Sequence, residues 1–281
     1  MIISKYKKTL IKIDSLLLKG NLYKIYVYIS SFRIRYHAKY VLDYLILILK
    51  IFKLILSPLK KKQQNSHKNY FFNFKKRQLR LLTFWNNNFE HIIKSNLTGD
   101  IVECGVGNGE TLSYILFNLI YKKNSFIDKK KYIGFDSFQG FPHPSIEDAS
   151  PRNPKKGEWN HTDEKFVLGN LKKMGFTDKD LEYVSFIKGF FKDILNNNNY
   201  LTERIAILHL HCDLYESYKL SLEHFYPKVV EGGIIVFNGL DYSVEEFVGI
   251  RKVINDFFGS EVKNIKKCNI SEKYFLIKNK L

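Results

Sequence analysis

From about residue 98 the chain alternates short apolar runs with longer amphipathic stretches. The short runs, rich in Ile, Val, Tyr and Phe, predict strands at 100–104, 131–136, 183–187, 205–212 and 233–237, with a weaker one at 273–277. Between them, 110–121, 163–174, 216–225 and 245–258 fit helices. Strands alternating with helices predict an α/β fold with a mostly parallel sheet. Upstream, 70–95 carries Phe71, Phe72, Phe74, Leu79, Leu82, Phe84 and Trp85, and is expected to be a helix capping the main domain. Residues 142–160 are rich in Pro, Asn and charge and have no periodicity. They read as a long loop, and such loops are often functional lids.

The first 69 residues differ in pattern. Residues 1–40 mix Lys and Arg with Ile, Leu and Tyr, as one or two amphipathic helices would. Residues 41–58 are more apolar, but Asp43, Lys50 and Lys53 interrupt them, so a membrane-spanning core is missing. The apolar run also starts too late for a signal peptide. Two readings remain for this helical extension. In one, residues 1–62 make peripheral contact with the inner face of a membrane, with Lys50, Lys53 and Lys60–Lys62 meeting anionic head groups. In the other, the helix packs on the main domain or on a sister subunit in a homo-oligomer. Pro58 and the polar residues up to 69 read as the end of that helix and a linker. The expected division is therefore 1–69 and 70–281.

Charge supports the same division. The net charge is +17, and residues 1–80 hold 19 Lys and Arg against only Asp14 and Asp43. Those residues account for the whole excess, so residues 81–281 are neutral. A neutral main domain argues against nucleic acid as its target. Cys104, Cys212 and Cys268 are too far apart for a zinc site or a disulfide framework, which fits a cytoplasmic protein.

The densest chemistry lies in Ile101–Thr111, where Glu103 is followed by Gly105, Gly107 and Gly109 at alternate positions. A strand, a glycine turn and a helix start let a ligand approach bare backbone and the positive end of a helix. The spacing is not the dinucleotide fingerprint G-x-G-x-x-G. It resembles motif I of class I S-adenosylmethionine methyltransferases, in which the acid helps hold the methionine amino group. Asp136 ends the next strand, where a ribose diol needs an acceptor, and Lys122–Lys131 before it looks like an inserted polar loop. Strand alternation puts His209, His211 and Asp213 on one face. His209 reads as a buried, hydrogen-bonded core residue. His211 and Asp213 could form a base and its orienting partner, or a soft metal site. His161, in the long loop, is another candidate base but reads more readily as a surface residue, and Lys188 and Lys129–Lys131 read as solvated surface.

Several further segments agree with one family. Phe135-Asp-Ser-Phe-Gln-Gly-Phe-Pro142, Phe186–Leu195, Asp213-Leu-Tyr-Glu-Ser217 and Tyr226-Pro-Lys-x-x-x-Gly-Gly233 occur in order. They resemble motifs of the macrocin O-methyltransferase (TylF/MycF) family of sugar O-methyltransferases, and the likeness covers residues 98–280. It implies a Rossmann-like class I methyltransferase fold and an S-adenosylmethionine cofactor. Glu103, Gly105, Gly107, Gly109, Asp136, Ser137, Gly189 and Phe190 would hold that cofactor. It also implies an acceptor with a sugar hydroxyl, as part of a glycan, a glycolipid or another small molecule. Asp213 and His211 are then the expected catalytic pair.

The family is described as using Mg²⁺ held by the Asp of the Asp213 motif and by an Asp-Asp pair after the fifth strand. Here that pair is replaced by Asn238 and Gly239, leaving Asp213 with Asn238, and Asp241 if its loop rearranges. One carboxylate does not make a Mg²⁺ site. The loss keeps a second reading open, that of an inactive methyltransferase-like binding or scaffold protein at the membrane surface.

Overall fold

The computed structural model describes residues 67–122, 130–195, 202–241, 243 and 246–279. Nearly all of the expected N-terminal extension, with its proposed membrane contact, and residues 123–129 of the polar insertion lie outside the described residues.

Among the described residues seven strands form one sheet: β1 Asp100–Cys104, β2 Tyr132–Asp136, β3 Val184–Lys188, β4 Ile205–Leu210, β5 Val229–Phe237, β6 Lys266–Lys267 and β7 Tyr274–Ile277. Their spatial order is β3-β2-β1-β4-β5-β7-β6. Neighbours among β1–β5 run parallel, and β7 runs antiparallel to both β5 and β6. The central strands are covered on both faces: all six residues of β4 and four of the five in β1 are buried. That is why they appear in the sequence as unbroken apolar runs rather than as alternation.

The long helices are α1 His67–Lys94, α2 Glu110–Tyr121, α3 Glu164–Lys173, α6 Tyr215–Phe225 and α7 Val248–Phe258. Two single turns, α4 Asp178–Leu181 and α5 Phe191–Ile194, flank β3. The helix expected at 70–95 is α1. Its Trp85, Phe89 and Ile92 are buried, and the Trp85 ring meets His209 edge-on at 5.2 Å. Arg77 ties α1 to α2 through Glu110 at 2.9 Å.

The expected elements recur with shifts that have local causes. Strand β4 ends at Leu210 rather than 212, although the His211 N–H still donates to the Cys104 carbonyl at 2.8 Å. Strand β5 starts four residues early because Val229–Gly233 already pairs, with Gly232 at φ 74°. The two-residue β6 was not expected, since two lysines at a sheet edge have no apolar pattern.

Two expectations need correction. Lys130 is not solvated surface: it is buried and its Nζ donates to the carbonyls of Leu97 at 2.6 Å and Gly99 at 2.7 Å. The carbonyls of the turn before β1 need a donor there, and its long stem reaches them. The loop at 142–160 is not a free lid. Buried Asp148 accepts from the Tyr215 N–H at 2.8 Å and from the backbone and hydroxyl of Ser145 at 2.9 and 3.0 Å. The loop is thus pinned to the first turn of α6.

Candidate active site

The carboxyl ends of β1, β2, β3 and β4 meet where chain order reverses between β1 and β4, the place where open α/β sheets bind ligands. The glycine turn leaves β1 here. Gly105 has φ 94°, and a Cβ there would lie 2.6 Å from the His211 carbonyl oxygen. Only glycine lets the ends of β1 and β4 approach this closely. Gly107 has φ 57°, and a Cβ there would meet nothing within 4 Å among the described residues, so open space lies over it. Gly109, at φ 81°, is the N-cap of α2. The turn therefore offers bare backbone and a helix N-terminus to a ligand.

Asp136 stands over this turn. Its Oδ2 accepts from Val106 N–H at 2.8 Å and Gly107 N–H at 3.0 Å, and its Oδ1 accepts from Phe138 N–H at 2.8 Å. Three of the roughly four lone-pair directions are used, so Oδ1 is the freer oxygen. Ser137 turns inward: its hydroxyl donates to the Gly140 carbonyl and accepts from Gln139 N–H, both at 3.0 Å. Gly189 donates to the Asp136 carbonyl at 3.0 Å, which brings the half-buried Phe190 beside the β2 end. An adenosyl group would have the open space over Gly107 and Oδ1 of Asp136 available. The residues present fit such a cofactor.

Glu103 is not open to a ligand as expected. It has no exposed surface, and all its acceptor capacity faces the protein. Oε1 accepts from His209 Nδ1 at 2.9 Å and His211 Nδ1 at 3.0 Å, and Oε2 accepts from the Tyr132 hydroxyl in a short hydrogen bond. The register explains this, since Glu103 lies opposite His209 across the parallel β1–β4 pair. Burial alone would raise its pKa, but the hydrogen bonds from the two imidazoles outweigh it and hold the carboxyl at about 2. His209 is fully buried, its pKa lowered to about 4 by burial against the pull of Glu103, and its Nε2 has no hydrogen-bond partner among the described residues. It is the buried, bonded histidine that was expected.

His211 differs. Its ring stacks on that of His209 at 4.7 Å, but its side chain is 29% exposed at the cleft. Because an ionised carboxylate only accepts, Nδ1 carries a proton, and in the neutral ring Nε2 is the nitrogen with a lone pair. The expected base and orienting partner are therefore His211 and Glu103, not His211 and Asp213.

The Asp213 carboxylate has no hydrogen bond among the described residues. Burial raises its pKa to about 6, against the opposing pull of His211, Arg152 and Lys273. Arg152 comes from the pinned loop. It pairs with Glu158 at 2.6 Å and lies over the rings of Phe141, Trp159 and Phe247 at 5.7, 5.0 and 4.7 Å. Trp159 keeps 48% of its surface exposed. His161 is exposed, as expected.

The donor set does not suit a hard divalent cation. The Asn238 side-chain oxygen accepts a short hydrogen bond from the Lys273 ammonium. Gly239 contributes no side chain. Asp241 is turned to its own loop, accepting from the Ser243 N–H at 2.9 Å and hydroxyl at 2.6 Å. Asp213 is left as the one carboxylate, so the expected Asp213–Asn238 pair does not form a Mg²⁺ site. Lys273 was missed in the sequence because one lysine among many carries no motif. It arrives through the antiparallel β5–β7 pairing, in which Phe237 faces Tyr274. Burial lowers its pKa to about 8.

Comparison with known proteins agrees with the fold and the motif order. The family model described as macrocin-O-methyltransferase (TylF) matches residues 75–270. Among curated relatives, the chain is 28% identical over 174 residues to 8-demethyl-8-(2,3-dimethoxy-alpha-L-rhamnosyl)-tetracenomycin-C 4'-O-methyltransferase of Streptomyces olivaceus, covering 60% of this chain and 62% of that one. It is 34% identical over 149 residues to demethyldecarbamoylnovobiocin O-methyltransferase of Streptomyces niveus, covering 52% of this chain and 55% of that one. The alignments thus span little more than half of each relative. The fold is like that of the O-methyltransferase NovP, with TM-score 0.58 and 24% identity, covering 73% of this chain and 81% of that one. It is similarly like the calicheamicin methyltransferase CalS11, with TM-score 0.58 and 18% identity, covering 81% and 91%. The glycine turn, the sheet order and the match over residues 75–270 place this chain in the macrocin O-methyltransferase family.

Proposed function

We propose that this chain is an S-adenosylmethionine-dependent O-methyltransferase acting on the hydroxyl of a sugar-bearing small molecule. The observation that carries the reading is the joining of two half-sites at the β1–β4 switch. One is the open glycine cradle under Asp136, and the other is His211, oriented by Glu103. The cofactor supplies an electrophilic methyl group on sulfur when bound. Gly105, Gly107, Gly109, Asp136 and Phe190 would hold it, while Ser137 and Gly189 shape the turns beneath.

Glu103 fixes the His211 ring and its tautomer, which leaves Nε2 to take the proton from the acceptor hydroxyl. Asp213, without a hydrogen bond among the described residues and with a raised pKa, would accept a hydrogen bond from a second acceptor hydroxyl. The exposed face of Trp159, stiffened by Arg152, suits the apolar C–H side of a sugar ring. One curated relative is named for 4'-O-methylation of a rhamnosyl-bearing tetracenomycin, which supports a sugar acceptor.

Isothermal titration with S-adenosylhomocysteine tests the cofactor half, and methyl transfer to rhamnosides tests the acceptor half. Failure to bind S-adenosylhomocysteine would sink the reading. Binding without turnover on any glycoside would favour the inactive binding protein instead. Among the described residues no helix is long and apolar enough to cross a membrane. The basic residues 1–62 support peripheral contact with an anionic membrane, which co-sedimentation with anionic liposomes at low salt would reveal.

A further inference from the structure

We propose that the Lys273 ammonium is the cation of the acceptor half, so that this chain transfers methyl groups without a divalent ion. The inference rests on reading the cleft as an O-methyltransferase site. Three observations carry it. The first is the seat of Lys273. Its Nζ donates to the Asn238 side-chain oxygen, and the two residues are brought together just beyond the Phe237–Tyr274 pair of β5 and β7. Both line one small pocket with Gly239, Asp241 and Tyr274.

The second is Gly239. A Cβ at this position would lie 3.8 Å from Asp213 Oδ1 but 2.6 Å from Ile250 Cδ1, with φ at 71°. A carboxylate there would face Asp213, yet fitting it would displace the buried Ile250 side chain and place a non-glycine residue in left-handed backbone. The third is Asp241, whose carboxylate is engaged by Ser243. No second acid therefore stands beside Asp213 among the described residues, and the cationic groups that act on it are His211, Arg152 and Lys273.

A hard divalent ion needs about six oxygen ligands, whereas an ammonium needs only three acceptors. Asn238 supplies one of these, which leaves two N–H donors for acceptor hydroxyls. Methyl transfer breaks the sulfur–methyl bond as the oxygen–methyl bond forms, and the sulfur keeps the electron pair. The hydroxyl proton passes to His211 Nε2. Lys273 keeps its protons and stabilises the negative charge developing on the acceptor oxygen.

The test uses the full chain with S-adenosylhomocysteine bound and Mn²⁺ as the probe, followed by electron paramagnetic resonance. The wild-type protein is expected to bind no Mn²⁺ in the cleft at millimolar concentration. One ion per chain, lost in Asp213→Asn, would overturn the inference. The double variant Lys273→Gln/Asn238→Asp is expected to gain one Mn²⁺, since it adds a carboxylate and removes the ammonium that occupies the side-chain oxygen at position 238. If that variant still binds S-adenosylhomocysteine but takes no ion, Lys273 is not what excludes the metal. If it loses S-adenosylhomocysteine binding, the wild-type Mn²⁺ result decides alone. Methyl transfer to methyl α-L-rhamnopyranoside should continue in EDTA, and a requirement for added Mg²⁺ would also overturn the inference. Absence of S-adenosylhomocysteine binding by the wild-type protein would instead fell the underlying methyltransferase reading.

Discussion

Glu103 Oε1 and His211 Nδ1 lie 3.0 Å apart, with the carboxylate wholly buried and the imidazole at the cleft. A charge sealed in the sheet thus orients a base at its edge. His211→Gln is expected to lower the rate of methyl transfer by about 100-fold or more, within the range for loss of a general base. Binding of S-adenosylhomocysteine should be unchanged. Glu103→Gln should reduce the rate less, and should shift the pH–rate profile because the imidazolium loses its counter-charge. A profile that does not move in Glu103→Gln would show that Glu103 is only structural.

The glycines of the turn should separate by substitution. Gly105→Ala drives a Cβ to 2.6 Å from the His211 carbonyl oxygen, so it should destabilise the fold by about 2 kcal/mol or more and disturb both half-sites. Gly107→Ala meets no protein atom and carries mainly the left-handed backbone cost, about 1 kcal/mol. It should fold yet bind S-adenosylhomocysteine weakly, because the methyl enters the cradle. Thermal unfolding and calorimetric titration of both variants check this, and equal losses of affinity and stability in Gly107→Ala would contradict it.

Asp213 should cost stability at neutral pH. Its folded pKa is raised to about 6 from 3.8, chiefly by burial, so the folded state binds more protons between those values. The stability it contributes is present below about pH 4 and lost as pH rises through 6. Asp213→Asn is therefore expected to raise the unfolding free energy at pH 7.5, by an amount on the order of 1–2 kcal/mol. The gain should vanish near pH 4, and the variant should be catalytically impaired. Melting curves at the two pH values decide it. A variant no more stable at pH 7.5 would contradict the cost assigned to the carboxylate.

Asp148 holds the acceptor wall in place. Removing its carboxylate in Asp148→Ala leaves the Tyr215 N–H without its partner at 2.8 Å and frees the Ser145 turn. A loss of about 2 kcal/mol is expected, as for a helix cap. Limited proteolysis should then cut between residues 142 and 160, while S-adenosylhomocysteine binding persists. Unchanged proteolysis would argue that other contacts pin the loop.

Much of the fold could be read from local pattern. The apolar runs of β1 and β4, the helical spacing of α2 and α6, and the glycine turn are each set by neighbours in sequence. Conformation and burial at those positions depend on residues close by in the chain. The placement of a glycine turn after a strand and before a helix was therefore legible, and so was the buried His209. Side-chain partnerships were not. Glu103 was expected to face a cofactor and faces two histidines and a tyrosine instead. Lys130 was expected in solvent and is buried under two carbonyls.

Those partnerships arise from long-range register. The order β3-β2-β1-β4-β5-β7-β6 sets Tyr132 and His209 on either side of Glu103, and the antiparallel return of β7 sets Lys273 on Asn238. Periodicity along a chain cannot encode which distant strand becomes a neighbour. The sequence by itself determined a parallel α/β core with a glycine cradle. Only the tertiary structure decided that a buried carboxylate orients His211 and that a lysine stands where a divalent ion was expected.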